Sequence, residues 1–226
     1  MNSEIIVNTD FTLFDGRQHV LGACMLSNIL DAAVSTGLVA TGDSFRVMSA
    51  KFIKKTGFNG RVIVTLGHEN RYENQGAAAR LLAETTKGPV NGWFFPDSSL
   101  PVQKQLASDF AIKKITCHGD LSGTCEITAK DSQSRLRCMI EATKRLQLSD
   151  GNFLTAFPSK PVTELLFIEN IQLPLNYETP KASIHVKKLS ERRSSGRTVT
   201  MNRVTVTQQK VQDASFVLAF SFHCQG

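Results

Sequence analysis

Val20-Leu21-Gly22-Ala23-Cys24-Met25-Leu26-Ser27-Asn28-Ile29-Leu30-Asp31-Ala32-Ala33-Val34-Ser35-Thr36 is the stretch on which the fold turns. Leu21, Met25, Ile29, Leu30 and Ala33 recur at helical spacing, and Gly37 is a suitable stop, so one helix is expected over Val20–Thr36. Working outward, Phe11–Phe14 is a short apolar run ended by the turn pair Asp15-Gly16. Downstream, Ser44–Lys55 and Arg61–Leu66 read as strands around a Thr56–Gly60 turn. Arg71–Lys87 reads as a third strand region, with Asn74-Gln75-Gly76 as a hairpin turn. Gly88–Pro101, rich in Pro, Gly, Ser and Asp, reads as a domain boundary or crossover.

The second half follows a similar order. Asp109–Cys117 and Ser122–Ala129 are strand-like about a His118-Gly119-Asp120 turn. Ser134–Leu146 reads as a helix through Leu136, Met139, Ile140 and Thr143. Leu165–Leu173, Ala182–Leu189, Val199–Val206 and Ser215–His223 then give four strands. A lone helix with an apolar stripe, followed by a meander, is most economically buried by an antiparallel sheet curved around it. The expected class is therefore α+β, with two such units at residues 1–92 and 93–226 and their helices side by side inside a common sheet.

Composition narrows the classes. The chain has 226 residues, 41% hydrophobic and 20% charged, as in an ordinary globular protein. It lacks an apolar run long enough to span a bilayer, and Met1–Asp10 has no basic-then-apolar leader. The five cysteines (Cys24, Cys117, Cys125, Cys138, Cys224) form no C-x-x-C, which reads as reduced thiols in a cytoplasmic protein. They form no zinc-ligand spacing with histidine, so no metal is expected. The net charge of +6 is uneven: residues 181–210 carry eight Lys/Arg and one acid, Glu191. Such a patch suits an acidic partner, and its alternative reading is a solvated hairpin tip over Leu189–Thr198.

On these residues the chain resembles the hotdog superfamily, and in particular the double-hotdog dehydratase domains of polyketide synthases. That family carries H-x-x-x-G-x-x-x-x-P before its first helix, with the His as base. If Gly22 is the family glycine, Gln18 takes the His position and Ser27 the Pro position, while His19 lies one residue later. The family's second helix shows H-P-x-L-L-D-A-A-x-Q, and Arg135–Arg145 resembles it with Glu141 on the Asp and Arg145 on the Gln. Residues four apart share a helix face. Leu165–Pro174 with Lys181–Lys188, and Ser44–Gly60, resemble the family's later strands by element order.

The resemblance implies a dehydratase-like lyase that acts on a β-hydroxyacyl thioester of the polyketide or fatty-acyl kind. His19 would be the base and Glu141 the acid, the two facing each other across one cleft. Gly22, at the helix start, and Arg145 would bind substrate, the former by backbone N–H groups at the thioester carbonyl. Isomerisation or cyclisation are related steps open to the same pair. No cofactor is implied. The thioester would arrive on CoA or on an acyl carrier protein docked at Arg192, Arg193 and Arg197. Neither a membrane nor nucleic acid is expected as partner, since the basic stretch lacks aromatics for base stacking. A monomer or a homodimer is compatible with two hotdogs in one chain. Asp31 supports a hotdog thioesterase instead, although Gly22-Ala23-Cys24 replaces that motif's His-Gly-Gly. A non-catalytic protein that binds an acyl chain or a carrier is the third reading, favoured by Gln18 and Arg145.

Overall fold

The computed structural model describes residues 4–40, 45–67, 72, 75–118, 121–149, 161–173, 175, 180–194, 196–209 and 211–223. Asn74, Gly119, Asp120, His68, Lys210 and Cys224, which figure in the sequence reading, lie outside them for description. The chain forms two compact units, Met1–Ser108 with Gln172–Pro174, and Asp109–Ile171 with Leu175–Gly226.

The first unit opens with β1 (Glu4–Asn8), β2 (Leu13–Phe14) and α1 (Gly22–Ser35). It continues with β3 (Phe45–Phe52), β4 (Phe58–Leu66), β5 (Ala79–Thr85), β6 (Gly88–Pro101) and β7 (Gln105–Leu106). The antiparallel order is β1-β4-β6-β5-β3, and β2 pairs in parallel with β7 through Leu13↔Gln105 and Phe14↔Leu106. Helix α1 buries Ala23, Met25, Leu26, Ile29, Leu30, Ala32 and Ala33 against β4, β5 and β6; Met25, Ile29, Leu30 and Ala33 belong to the stripe its spacing predicts, whereas Leu21 is the half-buried N-cap.

Strand β6 corrects the reading of Gly88–Pro101 as a connecting segment. Its first part is central, between β4 and β5, and buries Trp93 and Phe94. The register Ala79↔Phe94 ends the β5 pairing, so Pro96 and Pro101 lie where β6 has only β4 beside it. A proline without a ladder N–H is tolerated on such an edge. Strand β1 was not foreseen: Glu4–Asn8 is short and half-exposed, with little apolar alternation to mark it.

The second unit contains β8 (Phe110–His118), β9 (Ser122–Ala129) and α2 (Ser132–Leu148). Four longer strands follow: β10 (Val162–Leu173), β11 (Lys181–Ser194), β12 (Arg197–Gln208) and β13 (Val211–His223). Its antiparallel order is β10-β13-β12-β11-β9-β8, and α2 packs on β8, β9 and β11. Inward residues Ile184, Val186, Val204 and Val206 are buried and alternate with more exposed ones along β11 and β12, and Phe216 and Leu218 of β13 are buried as well. Helix α2 starts with a capping box, in which Ser134 N–H donates to Asp131 Oδ1 at 2.7 Å.

Candidate functional site

In the first unit the site is built around the segment that leads into α1. Asp15, at φ 56°, ends β2 in a left-handed turn, and its carboxylate accepts the Ser108 N–H at 2.8 Å. The Val20 N–H then donates to Thr56 O at 2.8 Å, which ties Gln18 and His19 to the loop after β3. Gly57 permits this close approach, because a Cβ there would stand 2.7 Å from Gln18 O. Gln18 is exposed and His19 is half-buried.

Helix α1 begins without a side-chain cap and without an acid in its first turn, after an extended Leu21 at φ −71°, ψ 142°. Cys24 N–H turns back to Leu21 O at 2.9 Å. The N–H groups of Gly22 and Ala23 precede the first helical bonds, at the positive end of the helix dipole. His19 and these amides are thus adjacent in the chain at one helix start. Asp31 lies on the exposed side of the same helix.

In the second unit Glu141 is largely buried, with 15% of its side chain accessible, and carries ion pairs from its own helix. Arg145 Nε stands 3.2 Å away at i+4, and Lys144 Nζ 3.6 Å away at i+3. Spacing therefore placed Glu141 and Arg145 on one face as read. Arg145 is itself half-exposed.

Sequence reasoning missed Arg135. It is fully buried and donates from Nη1 to Gln208 Oε1 at 2.8 Å. A second polar chain lies beside the same sheet: Thr200 donates to Gln147 Oε1, and Asn202 Nδ2 to Thr200 Oγ1 at 3.1 Å. The signal was present, since Arg135, Cys138, Ala142 and Leu146 share one helical stripe and all are buried.

The basic stretch is a hairpin, with Ser194↔Arg197 as its last pair, which matches the exposed tip read from Leu189–Thr198. Burial alone would raise the Glu191 carboxyl, but Lys188 at 2.6 Å and Arg193 at 2.7 Å hold it below its ordinary value. Arg197 donates to Ser221 Oγ and pairs with Glu164 at 3.2 Å. Arg192 is exposed. Among the described residues no group of three or more His, Cys, Asp or Glu is placed to hold a metal, and no helix is long and apolar enough to cross a membrane.

The fold of the chain is shared with solved structures. The dehydratase domain of the CurJ module of curacin polyketide synthase superposes with a TM-score of 0.60 at 11% identity, over 97% of this chain and 91% of that one. The chain has a hotdog fold. A bifunctional dehydratase-cyclase domain of ambruticin biosynthesis matches with a TM-score of 0.56 at 9% identity, over 99% and 90% of the two chains. So does an acyl-CoA thioesterase II of Mycobacterium marinum, with a TM-score of 0.50 at 12% identity over 91% and 90%. An inactive histidine-to-phenylalanine form of the CurJ dehydratase shares the fold as well. No protein-family model matches the sequence, and no curated protein matches it. At such identities the hotdog fold, not the chemistry, is what is held in common.

Proposed function

We propose that this chain is a dehydratase-like enzyme of acyl thioesters, with each compact unit serving as one hotdog. The observation that carries the reading is the start of α1, where the pinned Gln18–His19 segment runs directly into a helix terminus with no side-chain cap. A base and a set of amide donors within a few residues of each other are what α-proton abstraction next to a thioester carbonyl requires.

In the proposed reaction His19 takes the α-proton while Gly22 and Ala23 N–H groups stabilise charge on the carbonyl oxygen. The Cβ–O bond then breaks and the Cα=Cβ bond forms, while Glu141, entering the step in its neutral form, delivers its proton to the departing hydroxyl, which leaves as water; the proton taken up by His19 is returned to Glu141 through solvent to close the cycle. Arg145 binds substrate and orients Glu141, to which it already donates. A histidine-to-phenylalanine form of the CurJ dehydratase is inactive, which suits a reading in which a histidine takes part. Because the pair needs only a proton shuttle, isomerisation or cyclisation on the same thioester belongs to the same class. The substrate is delivered on CoA or on an acidic carrier protein, the latter drawn to the basic second unit by Arg192, Arg193 and Arg197, and the enzyme works in the cytoplasm.

The test is kinetic. His19→Ala and Glu141→Gln should each lower turnover of a small β-hydroxyacyl thioester by about two or more orders of magnitude, and the double variant should be no worse, since groups acting as one unit are not additive. Losses of about tenfold that multiply in the double variant would assign both residues to binding. Thioester hydrolysis is the second reading, supported by the fold shared with the acyl-CoA thioesterase. Loss of hydrolysis in Asp31→Asn, with His19→Ala active, would establish it.

A further inference from the structure

We propose that Thr56 and Gly57 are positioning residues: their turn sets the place of His19 ahead of α1, and Gly57 does so by offering the Gln18 carbonyl a neighbour without a side chain. The bearing of this turn on catalysis rests on the thioester reading; its geometry does not.

The turn is held from three sides. Ahead of it, the Ile53 N–H donates to Ala78 O at 2.8 Å. Within it, the buried Thr56 folds the chain back, because its Oγ1 accepts the Phe58 N–H at 3.1 Å. Beyond it, Gly57 O accepts the Val102 N–H at 2.8 Å, and β7, a few residues further on, pairs with β2. The chain entering α1 lies against this turn. Arg17 N–H donates to Phe14 O at 3.1 Å, and Val20 N–H to Thr56 O at 2.8 Å. Gln18 and His19 are therefore the two residues between a tether at Arg17 and a tether at Val20.

Gly57 is the point of approach. A Cβ there would stand 2.7 Å from Gln18 O and 3.8 Å from Gln18 C. Non-bonded atoms pack best at about 3.5 Å or beyond, so one side has to move. The turn is tied by Ala78 and Val102, whereas Gln18 is exposed, so the displacement falls on the Gln18–His19 peptide. Helix α1 is anchored separately, by the buried Met25, Leu26 and Ile29. The Gly22 and Ala23 amides thus stay in place while His19 shifts. A base moved relative to fixed carbonyl donors loses rate in the chemical step and keeps substrate affinity.

The experiment joins steady-state kinetics to diethyl pyrocarbonate labelling of the full chain, mapped by peptide mass spectrometry, in Gly57→Ala, Thr56→Val and Thr56→Ser. Gly57→Ala should change the labelling rate of His19 by about threefold or more, since surroundings set the reactivity of an imidazole. The exposed His118 and His185 of the second unit should label as before. On a small β-hydroxyacyl thioester the same variant should lower kcat by about ten- to a hundredfold with KM within about threefold. Thr56→Val deletes the acceptor of the Phe58 N–H at nearly constant volume and should move both readouts by a smaller factor. Thr56→Ser keeps that acceptor and should restore both. Unchanged His19 labelling in a folded Gly57→Ala chain would overturn the proposal. If Gly57→Ala does not fold, a Thr56→Val chain that labels at His19 like the unaltered one would overturn it. A raised KM at unchanged kcat would overturn it too, by assigning the turn to substrate binding. Labelling of the expected pattern in a chain that turns over no thioester would uphold the positioning of His19 and reject the enzymatic reading.

Discussion

Ile29 of α1 sits directly on Gly92 of β6: a Cβ at position 92 would stand 2.1 Å from Ile29 Cγ2 and 3.7 Å from the Leu81 Cβ. The central strand of the first unit therefore carries a glycine because the helix stripe lies against its backbone. Gly92→Ala should destabilise the chain by about 1–3 kcal/mol in urea unfolding through overpacking. Ile29→Ala alone should also destabilise it, by about 2–5 kcal/mol, through the cavity it leaves. The double variant should be less damaging than the two single losses added together. Strict additivity would show that the two positions do not meet.

Arg135 should behave as a structural group. It is fully buried and bonded to Gln208 at 2.8 Å. Arg135→Ala would leave Gln208 short of a donor and open a cavity, at a cost of about 2–4 kcal/mol in urea unfolding. Gln208→Leu would leave a buried guanidinium without this acceptor and should cost at least as much. A change below about 0.5 kcal/mol in either variant, the range of a surface substitution, would contradict the burial of the pair.

The buried thiols set a pH signature. Burial pushes Cys138 up to about 12, with the neighbouring Cys125 adding to it, and pushes Cys125 up to about 11, both from an ordinary 9.0. Since the thiolate is the reactive form, iodoacetamide at about pH 8 should label the native chain at Cys24 and Cys117, which are partly exposed, before Cys125 and Cys138. Peptide mapping reads the order, and early labelling of Cys138 would contradict it. The sign for stability follows. Below 9.0 both thiols are neutral in either state; above it the unfolded chain ionises first, so this contribution declines as pH rises toward about 11 and 12.

Much of the architecture was legible because a few residues have only one physical use. The Leu21–Ala33 stripe followed by Gly37 predicts α1, and the strand–helix–meander order predicts a sheet packed on each helix. Strand β6 was hidden because its two reasons for unusual composition are tertiary. Gly92 answers to Ile29 on another element, and Pro96 and Pro101 are allowed only by the point at which β5 ends. Glu141 and Arg145 could be placed on one face from spacing alone, but their ion pair, and the supporting Lys144, are matters of rotamer and packing. The buried Arg135 was missed for a similar reason. Its charge argued for solvent, and only the stripe it shares with Cys138 and Ala142 argued for the core.

The most direct measurement incubates the full chain with a panel of β-hydroxyacyl thioesters, carried on CoA and on an acyl carrier protein, and follows them by mass spectrometry. The expected result is loss of water from the acyl group with the thioester intact, abolished by His19→Ala. Release of the free thiol with the hydroxyacyl group unchanged would contradict dehydration and establish a hydrolase, and an unchanged panel would contradict catalysis on these thioesters altogether.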